Sequence, residues 1–215
     1  MRVEQGRTVT TNDARKRALR QDLIEVRNSF PRDDVSATGS VLSERALQLD
    51  ELAEARTVAA YVSVGREPST RALLDRLRET GVRVLLPVLL PDNDLDWAAY
   101  EGPERLVKAG RGLLEPAGPR LGPEAVTEAE AVLLPGLAVD RRGLRLGRGG
   151  GSYDRVLARL ERAGATPALV VLLYDGEVLA EVPAEAHDRP VQAAVTPSGV
   201  HRFTAAPAEG RNHGR

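Results

Sequence analysis

"AVLLPGLAVDRRGLRLGRGGGSYDRVLARLERAG", residues 131–164, runs from an apolar segment through a loop with three consecutive glycines into a leucine-periodic segment. Residues 131–139 read as a buried strand broken by Pro135-Gly136. Val156, Leu157 and Leu160 mark a helix that ends near Gly164. Ordering Gly149, Gly150 and Gly151 costs more backbone entropy than any other residue type would. The P-loop pattern needs a Lys-Ser/Thr after its second glycine, and no lysine lies nearby. The dinucleotide pattern begins at Gly147 and Gly149 but meets Ser152 where its last glycine belongs. Two readings stand: a plain strand-to-helix turn, or an anion cradle of backbone N–H groups, a helix N-terminus from Ser152 and the guanidinium groups of Arg145 and Arg148.

Outward from this unit the same alternation repeats. "ARKRALRQDLIEVRNS" carries Leu19, Leu23 and Val26 at helical spacing. A second helix is expected from Ser43, with Ala46, Leu49 and Ala53 on one face. "TVAAYVSV" (57–64), bounded by Gly65, reads as a buried strand. Ser69 or Thr70 can cap the helix "RALLDRLRET", and Gly81 can end it. "VRVLLPV" (82–88), a more exposed "DLDWAAY" (94–100), "ALVVLLY" (168–174) and "VQAAVT" (191–196) complete five or six strands, with 101–130 loop-rich around a short helix. Strands alternating with helices predict one α/β domain over 13–204, a mostly parallel sheet covered on both faces, between flexible segments 1–12 and 205–215.

Composition narrows the chemistry. The 215 residues suffice for a sizeable core, and no apolar run approaches the ~18–20 residues that span a bilayer. The first residues lack the apolar core of a secretory signal, so a cytoplasmic location is expected. Cysteine is absent, which excludes disulfides and thiolate catalysis, and the three histidines are too scattered for a zinc motif. Thirty basic residues balance 31 acidic ones, so nothing marks a nucleic-acid or membrane partner.

Single residues carry two meanings each. Asp154, in a first helical turn, complements the macrodipole or, beside a phosphate loop, holds magnesium. Asp188 is a loop acid beside Arg189 or a second metal ligand. Lys16 and Arg20, four apart, share one face of the first helix, for which a solvated basic face is the usual reading. Glu67 reads as a surface acid, and Trp97 and Tyr100 as packing residues with a polar handle.

Taken in order, the Lys16/Arg20 helix, "YVSVGREPST" (61–70), "LLEP" (113–116), "LLPGLAVDRRGLRLGRGGGSYDR" (133–155) and "VPAEAHDRPVQAAVT" (182–196) resemble the 5-formyltetrahydrofolate cyclo-ligases, also called methenyltetrahydrofolate synthetases. The resemblance implies a three-layer α/β/α fold and an ATP- and magnesium-dependent ligase that closes 5-formyltetrahydrofolate to 5,10-methenyltetrahydrofolate, releasing ADP and phosphate. By matching positions it implies that Lys16 and Arg20 contact the phosphates, and that Arg145, Leu146, Gly147, Arg148, Gly149, Gly150, Gly151, Ser152 and Tyr153 form the nucleotide loop. Lys16 and Arg148 would be catalytic, and Asp154 and Asp188 the Mg2+ ligands. Glu67, Trp97, Arg148 and Tyr153 would meet the folate, Tyr153 packing on folate or adenine. The implied partners are the two small molecules, ATP and 5-formyltetrahydrofolate, with the protein a monomer or weak dimer. Val139, Ser152 and Glu177 stand where many members carry other residues. A glycine loop on a similar scaffold also serves sugar-phosphate isomerases, which need no ATP, and a non-catalytic binding paralogue would keep the same site.

Overall fold

The computed structural model describes residues 4–185 and 188–203. The chain begins with α1 (Glu4–Asn28), α2 (Arg32–Ala46), α3 (Asp50–Ala53), β1 (Thr57–Ala59), α4 (Arg71–Glu79), β2 (Arg83–Leu89) and β3 (Leu95–Ala99). A hairpin of β4 (Leu106–Lys108) and β5 (Leu114–Pro116) follows, then β6 (Ala131–Leu134), β7 (Ala138–Asp140) and β8 (Arg145–Leu146). The last elements are α5 (Ser152–Arg162), β9 (Ala168–Leu172), β10 (Val178–Leu179), β11 (Ala193–Thr196) and β12 (Gly199–Arg202).

The main sheet has the order β12-β11-β9-β6-β1-β2-β3, seven strands rather than five or six. Pairings from β11 to β2 are parallel; β12 and β3 close the two edges antiparallel. Period-two burial splits the core. Along β6, Ala131 and Leu133 join Leu42, Leu52, Leu73, Leu74 and Leu77 of α2, α3 and α4, while Val132 and Leu134 join Val156, Leu157 and Leu160 of α5. The result is the three-layer α/β/α sandwich with a mostly parallel central sheet.

Connections leaving the two central strands run to opposite faces: β1 reaches β2 through α4, and β6 reaches β9 through α5. A crevice therefore opens beyond the carboxyl ends of β1 and β6, where the strand order reverses. The turn after β1 carries Glu67; the segment after β6 carries Pro135-Gly136 and leads to the glycine loop.

Several local expectations are corrected. In α1, Leu19, Leu23 and Ile24 pack on Leu137, Ala138, Leu146 and Val182, whereas Val26 is 55% exposed. The buried stripe continues instead into cations, Lys16 at 7% and Arg27 at 2% exposure. Helix α1 starts at Glu4, inside the segment expected to be flexible. The second helix starts at Arg32 and ends at Ala46, and in the short α3 it is Leu52, not Ala53, that is buried. Edge strand β3 is well covered, with Leu95, Trp97 and Ala98 all in the interior. The expected C-terminal tail and residues 186–187 lie outside the described residues. None of the described helices is long and apolar enough to cross a membrane.

Candidate active site

Thr70 precedes α4 but its hydroxyl does not cap it. It donates to the Tyr61 carbonyl (2.8 Å) and accepts from the Ser63 amide (3.0 Å), closing the 61–70 loop on itself. Inside that loop the Val64 amide donates to Glu67 Oε2 (2.8 Å), leaving Glu67, 7% exposed, aimed at the crevice. The expectation of a surface acid fails because the loop folds inward. Glu67 Oε1 meets Arg148 Nε at 2.9 Å, so the acid after β1 and the glycine loop are already joined.

The glycines divide their tasks. Gly149 and Gly151 hold φ +88° and +76°, a left-handed backbone that favours glycine, and Gly151 immediately precedes α5. Gly150 has an ordinary φ and nothing within 4 Å of where a Cβ would stand. Arg20 Nε donates to the Gly147 carbonyl (2.9 Å), and a Cβ on Gly149 would lie 3.3 Å from the Arg20 guanidinium carbon. Helix α1 is thus seated directly on the loop.

Two cavities flank it. One, ≈ 300 Å³, is lined by Tyr61, Val62, Val64, Glu67, Pro87 and Leu89, and on the loop side by Arg148, Ser152 and Tyr153. The other, ≈ 620 Å³, is lined by Asp13, Lys16, Arg20, Glu161, Glu185 and Asp188. Arg145, Gly147, Gly149, Gly151 and Asp154 line both. A ligand in one cavity therefore faces a ligand in the other across the loop.

The polar cavity brings basic side chains and carboxylates together. Lys16 Nζ lies 2.9 Å from Asp188 Oδ2 and 3.0 Å from Glu185 Oε2. Burial disfavours its charge, but the hydrogen bonds it donates to Asp188 and Glu185 outweigh this and raise its pKa. Arg145 donates to the Pro135 carbonyl (2.8 Å) and sits 3.8 Å from Asp154 Oδ1. Desolvation pushes its pKa down, with Asp154 the leading compensating charge. A desolvated guanidinium with no carboxylate closer than Asp154 at 3.8 Å among the described residues is suited to take phosphate oxygens. Asp154, in the first turn of α5, and Asp188 line this same cavity. No group of three or more potential metal-ligating acids or histidines gathers among the described residues. Two carboxylates completed by phosphate oxygens fit magnesium, which seldom occupies an all-protein cage.

Trp97 does not stand where the resemblance to the family implied. It is fully buried against the α5 face of the sheet and lines neither cavity, so it is a core residue and not a ligand contact. Leu146 is 1% exposed and packs under α1, its side of the polar cavity being wall. Tyr153 lines the apolar cavity and not the polar one, and burial raises its phenol pKa. Val139 lies in the core, and Glu177 pairs with Arg27, away from both cavities. Sequence reasoning missed Arg111 and Leu113 of the hairpin, which line the apolar cavity. The signal was the polar, glycine-flanked "AGRGLLEP" (109–116).

A model of the 5-formyltetrahydrofolate cyclo-ligase family matches residues 12–197. The chain is 43% identical over 187 residues to the 5-formyltetrahydrofolate cyclo-ligase of Mycolicibacterium smegmatis, covering 85% of this chain and 93% of that one. It is 32% identical to the Escherichia coli K12 protein of the same name, covering 75% and 89%. In three dimensions it is similar to the 5,10-methenyltetrahydrofolate synthetase of Aquifex aeolicus, with TM-score 0.75, 25% identity and coverage of 92% and 97%.

Proposed function

This chain belongs to the 5-formyltetrahydrofolate cyclo-ligase family and is an enzyme of that family, and we propose that it uses ATP to close 5-formyltetrahydrofolate to 5,10-methenyltetrahydrofolate, releasing ADP and phosphate. The observation that carries this reading is the pair of cavities sharing one glycine loop. The triphosphate occupies the polar cavity, the folate the apolar one, and phosphoryl transfer crosses the loop between them.

The formamide carbon is a poor electrophile because its nitrogen donates into the carbonyl. Transfer of the γ-phosphoryl to the formyl oxygen breaks the bond to the ADP oxygen and turns the formyl oxygen into a leaving group. N10 then attacks the formyl carbon; the C–O bond breaks, phosphate departs, and N10 loses its proton as the ring closes. Such a path needs alignment and charge neutralisation more than a protein nucleophile. Lys16, Arg20, Arg145 and the amides of residues 147–152 hold the phosphates. Arg148, held by Glu67 on the folate side of the loop, meets the formyl phosphate as charge develops on it. Glu67 accepts hydrogen bonds from the pterin, and Tyr153 packs on the folate rather than on adenine, since it lines that cavity alone. Asp154 and Asp188 are the carboxylates that would hold Mg2+. When bound it supplies positive charge to the phosphate oxygens.

The test is direct. Protein, Mg-ATP and 5-formyltetrahydrofolate are mixed and the absorbance of the methenyl product is followed, with ADP measured in parallel. Product should require all three components. Turnover of a phosphosugar without ATP, or folate binding with no ADP release, would replace this reading with one of its rivals.

A further inference from the structure

We propose that Arg111 at the hairpin end of the apolar cavity is the receptor for the substrate's carboxylate-bearing glutamate tail, a subsite for anionic aminoacyl extensions. The inference deepens the reading above and rests on it. A third cavity, ≈ 280 Å³ and lined by Leu90, Pro91, Ala109 and Gly110, continues from the apolar one. The two share Leu89, Arg111, Leu113 and Glu115, so together they form one channel with Arg111 at its junction.

Direction along the channel follows from the chemistry. The formyl group must lie against the glycine loop, beyond the end of β6, to meet the phosphoryl group. The sheet order β6-β1-β2-β3 then leads away from the loop towards Leu89 at the end of β2 and Leu95 in β3. Three strand spacings make ~14 Å, the scale of an extended pteroyl unit. The tail of the substrate, with its two carboxylates, therefore arrives at Arg111.

The charges there are arranged for it. Of the arginines lining the apolar cavity, Arg148 faces Glu67 and Arg145 faces Asp154, whereas Arg111 Nη1 donates to the neutral amide oxygen of Asn93 (2.9 Å). Glu115, the acid at the same junction, is turned to the Leu89 amide (3.0 Å) and lies 4.0 Å from Arg120. Both Arg111 (φ 58°) and Asn93 (φ 65°) hold left-handed backbone. Asparagine tolerates that region, but an arginine there is strained, and such strain concentrates at ligand clamps.

The experiment compares 5-formyltetrahydrofolate, its γ-linked triglutamate and the analogue lacking glutamate, 5-formyltetrahydropteroate, on wild-type enzyme, Arg111→Gln, Arg111→Lys and Arg111→Gly. KM is measured alongside equilibrium dissociation constants without ATP, so tail recognition is judged even if ring closure is not the reaction. Wild-type enzyme should bind the glutamylated substrates about tenfold more tightly than the pteroate, the worth of one charge-assisted contact. Arg111→Gln should erase that ratio by raising KM and the dissociation constant of the glutamylated substrates about tenfold, with the pteroate affected least, and Arg111→Lys should restore part of it. Arg111→Gly, which relaxes the left-handed backbone, should show the same loss with no fall in melting temperature. A ratio unchanged by Arg111→Gln, or an equal loss for all three ligands, overturns the tail site. Absence of turnover in wild type with the affinity ratio intact overturns only the reaction.

Discussion

Arg27 and Glu177, 150 residues apart in the chain, meet as a buried two-pronged ion pair, Nε to Oε1 at 2.6 Å and Nη2 to Oε2 at 2.7 Å. Arg27 Nη2 also donates to the Gly136 carbonyl (2.7 Å), and Glu177 Oε2 accepts the Tyr174 amide (2.9 Å). The Tyr174 hydroxyl in turn donates to the carbonyl of Arg66, next to Glu67 (3.1 Å). One ionic contact therefore fixes α1, the turn after β6 and the turn after β1 relative to one another: α1 carries Lys16, the turn after β6 accepts the hydrogen bond of Arg145 at Pro135, and the turn after β1 carries Glu67.

Removing one partner of such a pair leaves the other charge buried and uncompensated, at about 3–5 kcal/mol. Arg27→Met should therefore lose that much stability in urea unfolding. The double variant Arg27→Met/Glu177→Leu should be more stable than Arg27→Met alone, because it strands no charge. A double variant as unstable as the sum of the two singles would show that the pair is not coupled.

Gly150 separates folding from binding in the glycine loop. Its φ suits any residue and its Cβ position is open, so Gly150→Ala should leave the melting temperature unchanged. On the proposed reading the backbone amides of residues 147–152 hold the phosphates and a methyl at residue 150 crowds that grip, so ATP affinity should fall at least tenfold by calorimetry. Gly149→Ala should cost both: about 1 kcal/mol or more of stability from the left-handed backbone, and affinity through displacement of Arg20. Unchanged ATP affinity in Gly150→Ala would put the triphosphate elsewhere.

The sequence carried the layers and the loop because those follow from local pattern. Alternating apolar runs give β1, β2, β6, β9 and β11, and Gly81 and Gly164 end α4 and α5 at φ +86° and +66° as their position promised. Long-range partners were not legible. Val26 has the helical spacing of a core residue, yet Arg27 takes the buried place, because Glu177 supplies a counter-charge from across the chain. Trp97 reads from its own chemistry as a packing residue, and that reading holds; the folate contact came from the resemblance alone, and β3 lying under the α5 layer removes it. Strand β12 follows a two-residue turn in a segment, "SGVHRF", that is too polar to signal a strand.

Lys16 should separate the two ligands. Its ammonium lies in the polar cavity between Asp188 and Glu185 and lines no part of the apolar one. Lys16→Met should weaken ATP binding at least tenfold and change the folate dissociation constant by less than twofold. Equal loss of both ligands in titrations would refute this division.

Acid should destabilise the fold partly through Asp140. Burial opposes its charge, but hydrogen bonds from the Arg142 side chain and from the amides of Val182, Leu144 and Arg142 outweigh that and lower its pKa. A carboxylate with a depressed folded pKa adds stability above its unfolded value, ~3.9, and loses it as pH falls through the folded one. Wild type should therefore exceed Asp140→Asn in stability at pH 6, and the gap should narrow below pH ~4. A gap constant from pH 6 to pH 3 would mean that the effect is packing, not charge.

Asp154 gives the sharpest test of the metal assignment, because its role in folding is small. Its side chain is 62% exposed, and among the described residues its one ion-pair contact, to Arg145, is 3.8 Å long. As a helix first-turn acid it is worth ~0.3–1 kcal/mol, so Asp154→Asn should unfold within that margin of wild type. If Asp154 and Asp188 hold Mg2+, the same substitution should lower kcat by at least a hundredfold and raise the magnesium concentration needed for half-maximal ATP binding. A purely electrostatic acid at a helix start would leave both nearly untouched. Wild-type turnover in Asp154→Asn at limiting magnesium would remove the carboxylate from the site, whatever the fate of the glycine loop.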